Sequence, residues 1–309
     1  MRSSIRIRAV FAWAAVSLIW GTTYLSNDIG IDTIPPFRYA GIRFVLAGLV
    51  LLSAMRLRGE WSWSQMPALL RHPTSLAGML TLGIGVGLNI WALQWLPSGL
   101  AALLVAVVPL WMVLIERWGF DGRPLKTIVV VGLALGFGGI ALIAWDLGLG
   151  TTPTIPLKAV VAVLLGGLAW AYGSVFTRHR PSPAGLGTMA GAQMLWAGAL
   201  QLSISISSGE VVVVSDVSMI SAVALVYTLV VGTCIAYSAY IFALRHLPVA
   251  FVSTYVFINP VVALWLGWLI LAEPITTRTV AATVIILAGL TLTRLPGWRR
   301  RLAVDRQRT

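Results

Sequence analysis

The sequence predicts an all-α integral membrane protein of ten transmembrane helices, arranged as two five-helix repeats of inverted topology. Three observations lead there. First, 58% of the 309 residues are hydrophobic, 10% are charged, and the mean hydropathy is +0.89. An ordinary soluble domain carries roughly 25% charged residues, so this chain has too few to cover a surface in water. Second, apolar runs recur along the whole length, each long enough to cross a hydrocarbon core of about 30 Å as a helix. Third, the chain resembles itself at an offset of about 150 positions.

The predicted spans run at 9–27, 38–55, 75–95, 98–116, 126–145, 157–177, 185–206, 218–244, 249–271 and 277–294. Domain bounds follow: a short N-terminal segment at 1–8, repeats at 9–145 and 157–294, and a basic tail at 295–309. The first span follows a basic start, Met1 to Arg8, and lacks a small-residue cleavage site, so it reads as a retained helix. It carries Trp20-Gly21-Thr22-Thr23-Tyr24, an aromatic residue, a glycine that permits close backbone approach, and hydroxyls that suit a polar solute or another helix. The second span holds Arg43, the one basic residue well inside a span. A mid-bilayer arginine costs about 2.5–3.5 kcal/mol on the insertion scale. Either a structural or gating role with snorkelling, or contact with a substrate carboxylate, accounts for it.

The third span carries the neutral polar residues Asn89 and Gln94 beside Trp91. Only Leu96-Pro97-Ser98 separates it from the fourth, and only Leu247-Pro248 separates the eighth from the ninth. A single helix of roughly 40 residues would overshoot the bilayer, so both links are tight hairpins. Pro109 in the fourth span and Pro260 in the ninth lack an N–H and should free the carbonyls of Val105 and Val256. The sixth span repeats the chemistry of the first in Trp170-Ala171-Tyr172-Gly173-Ser174. Polar groups continue in the eighth, with Tyr237, Ser238 and Tyr240, and in the ninth, with Thr254 and Asn259. Trp61, Trp63, Trp118 and Trp298 sit at span ends and read as interfacial anchors.

Charge placement gives an independent check on the count. With the N-terminus cytoplasmic, eighteen Lys and Arg fall on inner segments and three, Arg38, Lys158 and Arg278, on outer ones. That positive-inside bias also places the C-terminus in the cytoplasm. The net charge of +12 therefore reads as topology and not as a nucleic-acid surface. Six of the ten acidic residues, among them Glu210 and Glu273, fall on the outer side, where they are expected to do little beyond solvating loops. No Asp or Glu lies near the centre of a span, so a carboxylate proton relay is not expected. The single cysteine, Cys234, excludes an internal disulfide.

At an offset of 151, Leu93-Gln94-Trp95-Leu96-Pro97 meets Leu244-Arg245-His246-Leu247-Pro248, and Pro109 meets Pro260. At 150, Trp20 meets Trp170. Because each half has an odd number of spans, the second enters the membrane from the opposite side. Exchange of conformation between such halves converts an outward-open cavity into an inward-open one.

These residues resemble the drug/metabolite transporter superfamily, in particular its EamA-type ten-helix members. The matching stretches are Trp20 to Tyr24, Arg43-Phe44-Val45-Leu46-Ala47, Ala92-Leu93 through Pro109 to Glu116, Trp170, Ala243-Leu244, Asn259-Pro260 and Ala272-Glu273-Pro274. The resemblance implies a cavity lined by spans 1, 3, 4, 6, 8 and 9, with spans 5 and 10 at the periphery. It also implies export or exchange of amino acids and related metabolites. The expected location is a bacterial inner membrane, and no cofactor or metal is expected. Expected substrate-binding residues are Trp20, Thr23, Tyr24, Asn89, Trp91, Trp170, Tyr172, Tyr240, Thr254 and Asn259, with Arg43, Pro109 and Pro260 as gating or structural elements. The partners are a small-molecule substrate and membrane lipid, without nucleic acid; a homodimer stays open. A membrane-embedded enzyme or a non-transporting partner is the alternative. His72, His179 and His246 lie near cytoplasmic loops without ligand spacing, which leaves little catalytic inventory.

Overall fold

The computed structural model describes residues 2–121, 127–149, 155–180, 182, 184–247 and 255–306, and every regular element among them is helical. The first half contains α1 (Arg2–Ile31), α2 (Pro36–Leu57), α3 (Pro73–Ala92), α4 (Ser98–Gly119) and α5 (Thr127–Leu149). The second contains α6 (Leu157–His179), α7 (Leu186–Ser207), α8 (the consecutive segments Met219–Tyr227, Thr228–Ile235 and Ala236–His246), α9 (Tyr255–Leu271) and α10 (Thr277–Arg306). A short helix, Met66–Arg71, precedes α3.

Among the described residues six stretches are long and apolar enough to cross a membrane: Ile5–Ile31, Pro36–Leu57, Pro73–Ala92, Ser98–Gly119, Leu157–His179 and Met219–Tyr240. Thr127–Gly139, Ile258–Leu271 and Thr277–Gly289 are shorter apolar helices among the described residues. Helix α7 has the length, but Thr188, Gln193 and Gln201 dilute its apolar character, and all three are buried against protein. Gln193 donates to the Thr74 carbonyl at 2.9 Å, so this polarity is answered inside the bundle.

Prolines start several of these helices, where a missing N–H costs nothing: Pro36 and Pro73 lie in the first turns of α2 and α3, while Pro97 and Pro156 precede α4 and α6. The Leu96-Pro97-Ser98 link is a turn between separate helices, as expected; most of the second link, from Pro248, lies outside the described residues. Pro109 does interrupt α4, which divides into Ser98–Val105 and Val108–Ile115. Ala106 and Val107 bridge the break with tightened bonds to the carbonyls of Leu103 and Leu104. Helices α1 and α10 run past their predicted ends into the basic flanks, to Arg2 and Arg306.

Two helices end by the same device. Gly59 after α2 and Gly209 after α7 both take φ +74°. In each, the glycine N–H bonds the carbonyl three residues back and the next N–H bonds the one five back, to Arg56 and Met55 in the first case and Ile206 and Ser205 in the second. This paired closure needs a left-handed residue, which glycine supplies without a Cβ clash.

Helix packing follows a reciprocal scheme. Helix α2 lies along α7 and α5 along α10; α1 packs on α8 and α9, while α6 packs on α3 and α4. At the α2–α7 crossing, a Cβ on Gly48 would stand 2.9 Å from the Gly191 carbonyl oxygen, and a Cβ on Gly198 would stand 2.9 Å from that of Gly41. Only glycine permits backbones this close.

Two sequence expectations are corrected. Trp61 is not an interfacial anchor: it is buried, and its indole N–H donates to the Leu52 carbonyl at 2.9 Å. Trp63 and Trp118 do stand exposed. Glu210 and Glu273 do more than solvate loops. Glu210 accepts from the Phe37 and Arg38 amides at the start of α2 (3.2 and 2.8 Å), and Glu273 accepts from the Ser98 and Gly99 amides at the start of α4 (2.7 and 3.1 Å). Each carboxylate satisfies two orphan amides at the positive end of a helix dipole. Their partners lie more than 170 positions away in sequence, which is why local reading missed them.

Candidate functional site

Helices α1, α8 and α9 converge on an aromatic cluster. The Trp20 ring centroid lies 5.2 Å from that of Tyr240 and 4.9 Å from that of Tyr255, and Tyr240 and Tyr255 meet edge to face at 6.0 Å. Tyr237 adds a fourth ring, 6.0 Å from Tyr240. Edge-to-face and tilted pairs at these separations contribute about 0.5–1.5 kcal/mol each beyond burial. Trp20 is held in place by its indole N–H, which donates to the Gly232 carbonyl of α8 at 3.0 Å.

Beside the cluster, the Thr23 hydroxyl returns to the Trp20 carbonyl at 2.7 Å, and its methyl group lies against Gly232. Asn259, buried in α9, faces the carbonyls of Tyr255 (3.1 Å) and Ser17 (2.9 Å), and the amide orientation that satisfies both turns its nitrogen to donate to them. It therefore ties α9 to α1 one residue before Pro260, within the helix where proline removes a backbone donor. Thr254 lies outside the described residues.

A second polar group links α1, α2 and α8 through buried side chains. Tyr39 shares a hydrogen bond with Thr228 at 2.5 Å, and Ser26 donates to the Ala224 carbonyl at 3.2 Å. Arg43 donates to the Asn27 side-chain oxygen at 2.8 Å, and its guanidinium lies 4.5 Å from the centre of the Phe44 ring. Arg43 is 8% exposed, so it does not snorkel to a headgroup. Among the described residues its Nε has no hydrogen-bond partner, and neither does the Nδ2 of Asn89, a residue 7% exposed in α3.

The other predicted residues are dispersed. Tyr24 packs with α3, α4 and α6 in the largest buried cluster. Trp91 meets Trp95 edge to face at 4.7 Å, where Lys158 lies 4.0 Å above the Trp95 ring, and it lines a cleft of about 440 Å³ together with Asp32, Phe37 and Gln94. Trp170 packs between α3 and the α2–α7 cluster, with its Cβ against Gly85. Tyr172 is 46% exposed, on the same stripe of α6 as Val161, Leu165 and Leu168. The structure therefore brings together Trp20, Thr23, Tyr240 and Asn259, adds Tyr255 and Tyr237, and leaves Tyr172 on the outer surface of the bundle.

One feature had no sequence signal. Met79–Val86 in α3 and Thr228–Ile235 in α8 are π-helical, 149 positions apart. Such wide turns loosen the backbone ladder and recur at functional sites. Each is held by a side chain from the opposite half: Gln201 donates to the Leu82 and Gly83 carbonyls at 3.0 Å, as Trp20 does to Gly232. Among the described residues, no group of three or more His, Cys, Asp or Glu could hold a metal ion.

Comparison with known proteins places this architecture. Residues 7–145 and 157–295 each match the EamA-like transporter family. The uncharacterized inner membrane transporter YedA of Escherichia coli strain K12 is 35% identical over 256 residues, covering 82% of this chain and 79% of its own. Protein PecM of Dickeya dadantii is 26% identical over 277 residues, covering 88% and 87%. A probable amino-acid metabolite efflux pump of Salmonella typhimurium is 23% identical over 288 residues, covering 89% and 91%. A solved crystal structure shares the fold, with a TM-score of 0.64 over 96% of this chain and 99% of that one, at 22% identity. Matched twice, once in each half, the chain is a multi-pass membrane protein that belongs to the EamA-like transporter family.

Proposed function

We propose that this chain moves small metabolites, amino acids and related compounds foremost, across the membrane by alternating access of two inverted five-span repeats. The observation that carries the reading is the reciprocity of the packing: α2 on α7, α5 on α10, and α1 on α8 and α9 where α6 takes α3 and α4. Each contact is converted into another, or into itself, by exchanging the halves. The glycine pairs at 41 and 191 and at 48 and 198 do the same with matching 2.9 Å approaches. An odd number of spans per repeat makes this a two-fold axis in the membrane plane, with both termini cytoplasmic by charge bias.

The substrate surface in this reading centres on Trp20, Tyr240 and Tyr255, with Thr23 and Asn259 beside them. Aromatic faces and neutral polar groups bind without holding too tightly to release. The shortage of buried cations argues against phosphorylated sugars, which want several Arg or Lys. The probable metabolite efflux pump among the relatives supports the amino-acid class and an outward direction.

The test is counterflow in proteoliposomes against a panel of amino acids and amines. Saturable exchange of at least one solute is expected, and no saturable flux for any of them would overturn the carrier reading.

A further inference from the structure

Arg43 is the anomaly of the buried polar group. A guanidinium removed from water is tolerated when a carboxylate or a full set of acceptors answers it. Among the described residues its one hydrogen-bonded partner is the neutral Oδ1 of Asn27, at 2.8 Å, and the Nε–H meets no acceptor. Among the described residues no carboxylate forms an ion pair with it, although Asp28 is the next residue along α1 from Asn27. The residue is 8% exposed, and its charge is not neutralised by any of the described residues.

A second unanswered donor lies on the neighbouring helix. Ile34, Tyr39, Ala40 and Ile90 share one buried cluster, which sets the start of α2 against the end of α3. Arg43 follows one turn after Tyr39 and Ala40, and Asn89 adjoins Ile90, with its Nδ2 unpaired and the residue 7% exposed. Two buried donor groups without acceptors, one of them cationic, on adjacent helices of a carrier describe a place for an anion that arrives with the solute.

We propose that Arg43 binds the carboxylate of the transported solute, oriented by Asn27 and assisted by Asn89, so that this carrier selects compounds bearing one carboxylate. This rests on the carrier reading above and names the substrate class for it. A guanidinium presents a planar fork of donors that matches a carboxylate, and the pair is stronger than a neutral hydrogen bond. Asn27, as a neutral acceptor, fixes the fork without cancelling its charge.

The experiment compares each transported acid with its primary amide, which keeps the shape and loses the charge, as competitors in proteoliposome counterflow. The native protein should prefer the acid by about tenfold or more, the scale of a charged hydrogen bond. Arg43→Gln should bring acid and amide to within about twofold of each other, and Arg43→Lys should keep part of the preference. Asn27→Asp guards against a variant that fails to fold, since it gives Arg43 a counter-ion within the chain. It should leave thermal stability intact or raised, while the acid loses about tenfold more apparent affinity than the amide does. A merely structural arginine would show no such split. The proposal is overturned if the native protein does not prefer acids, or if Arg43→Gln or Asn27→Asp preserves the preference. Flux of amides without acid preference would sink this proposal and leave the carrier reading standing; the absence of all flux would sink both.

Discussion

The helix crossings of the two halves are alike, and the surfaces they enclose are not. Helix α2 against α7 is built from glycines at 41, 48, 191 and 198 that exchange places under an offset of 150, and Gly59-Glu60 and Gly209-Glu210 close those helices at the same offset with the same φ of +74°. The lining departs from that symmetry. Trp20 and Trp170 correspond at 150, yet Trp20 stands among Tyr240 and Tyr255 while the residues 151 positions before those two are Asn89 and Leu104. The backbone frame must serve both conformations of an exchange mechanism and so stays symmetric. The solute meets both linings at once, and nothing requires them to match.

The largest effect expected from this contrast is on the frame. Gly48→Val and Gly198→Val each place a branched side chain against a carbonyl oxygen at 2.9 Å, an atom that cannot swing aside. Each should cost about 3 kcal/mol, the upper end of overpacking, read as a lower midpoint in thermal unfolding of the purified protein. The effects should be similar, because the two contacts, Gly48 with Gly191 and Gly198 with Gly41, are related by exchange of the halves. A large effect at one and none at the other would break the symmetry of the frame.

The intermediate effect is on the lining. Tyr255→Leu and Tyr240→Asn give the second half the residues of the first, removing ring contacts to Trp20 at 4.9 and 5.2 Å. Each should lower counterflow about tenfold, the equivalent of one or two aromatic contacts. Asn89→Leu should lower flux too, with stability unchanged or raised, because it removes a buried amide whose Nδ2 is unsatisfied. Normal flux in all three would move the site elsewhere.

How much of this was legible depends on the range of the interaction that decides it. Span positions follow from local hydropathy, and both the Leu96-Pro97 link and the break at Pro109 follow from the chemistry of one residue. The glycine register did not stand out, since Gly41 and Gly198 gain meaning only when brought together. Gly59 and Gly209 likewise gain a role only once their φ of +74° and the closing bonds around them are seen. Glu210 and Glu273 act on helix starts far away in sequence, and Tyr255 became a site residue only when α9 met α1. Trp61 shows the reverse error, in which a position at a span end suggested an interface and a carbonyl of α2 claimed the indole instead.

The smallest effect separates two residues that the repeat treats as equivalent. Thr22 and Tyr172 are 150 positions apart and follow Trp20 and Trp170 by the same two steps. Thr22 bonds the Tyr227 hydroxyl at 2.6 Å across the α1–α8 interface, whereas Tyr172 stands 46% exposed on an apolar stripe. Thr22→Val should therefore cost about 1 kcal/mol, the net value of one hydrogen bond. Tyr172→Leu should stay within about 0.5 kcal/mol, as substitutions on an outer surface do, with flux unchanged. The second result carries more information than its size suggests. Lipid is as apolar as leucine, so the hydroxyl has nothing to lose there in the state observed. A fall in flux without a fall in stability would mean that α6 turns this face inward in the other state, and the exposed stripe would then be the first half of a symmetric site seen from its closed side.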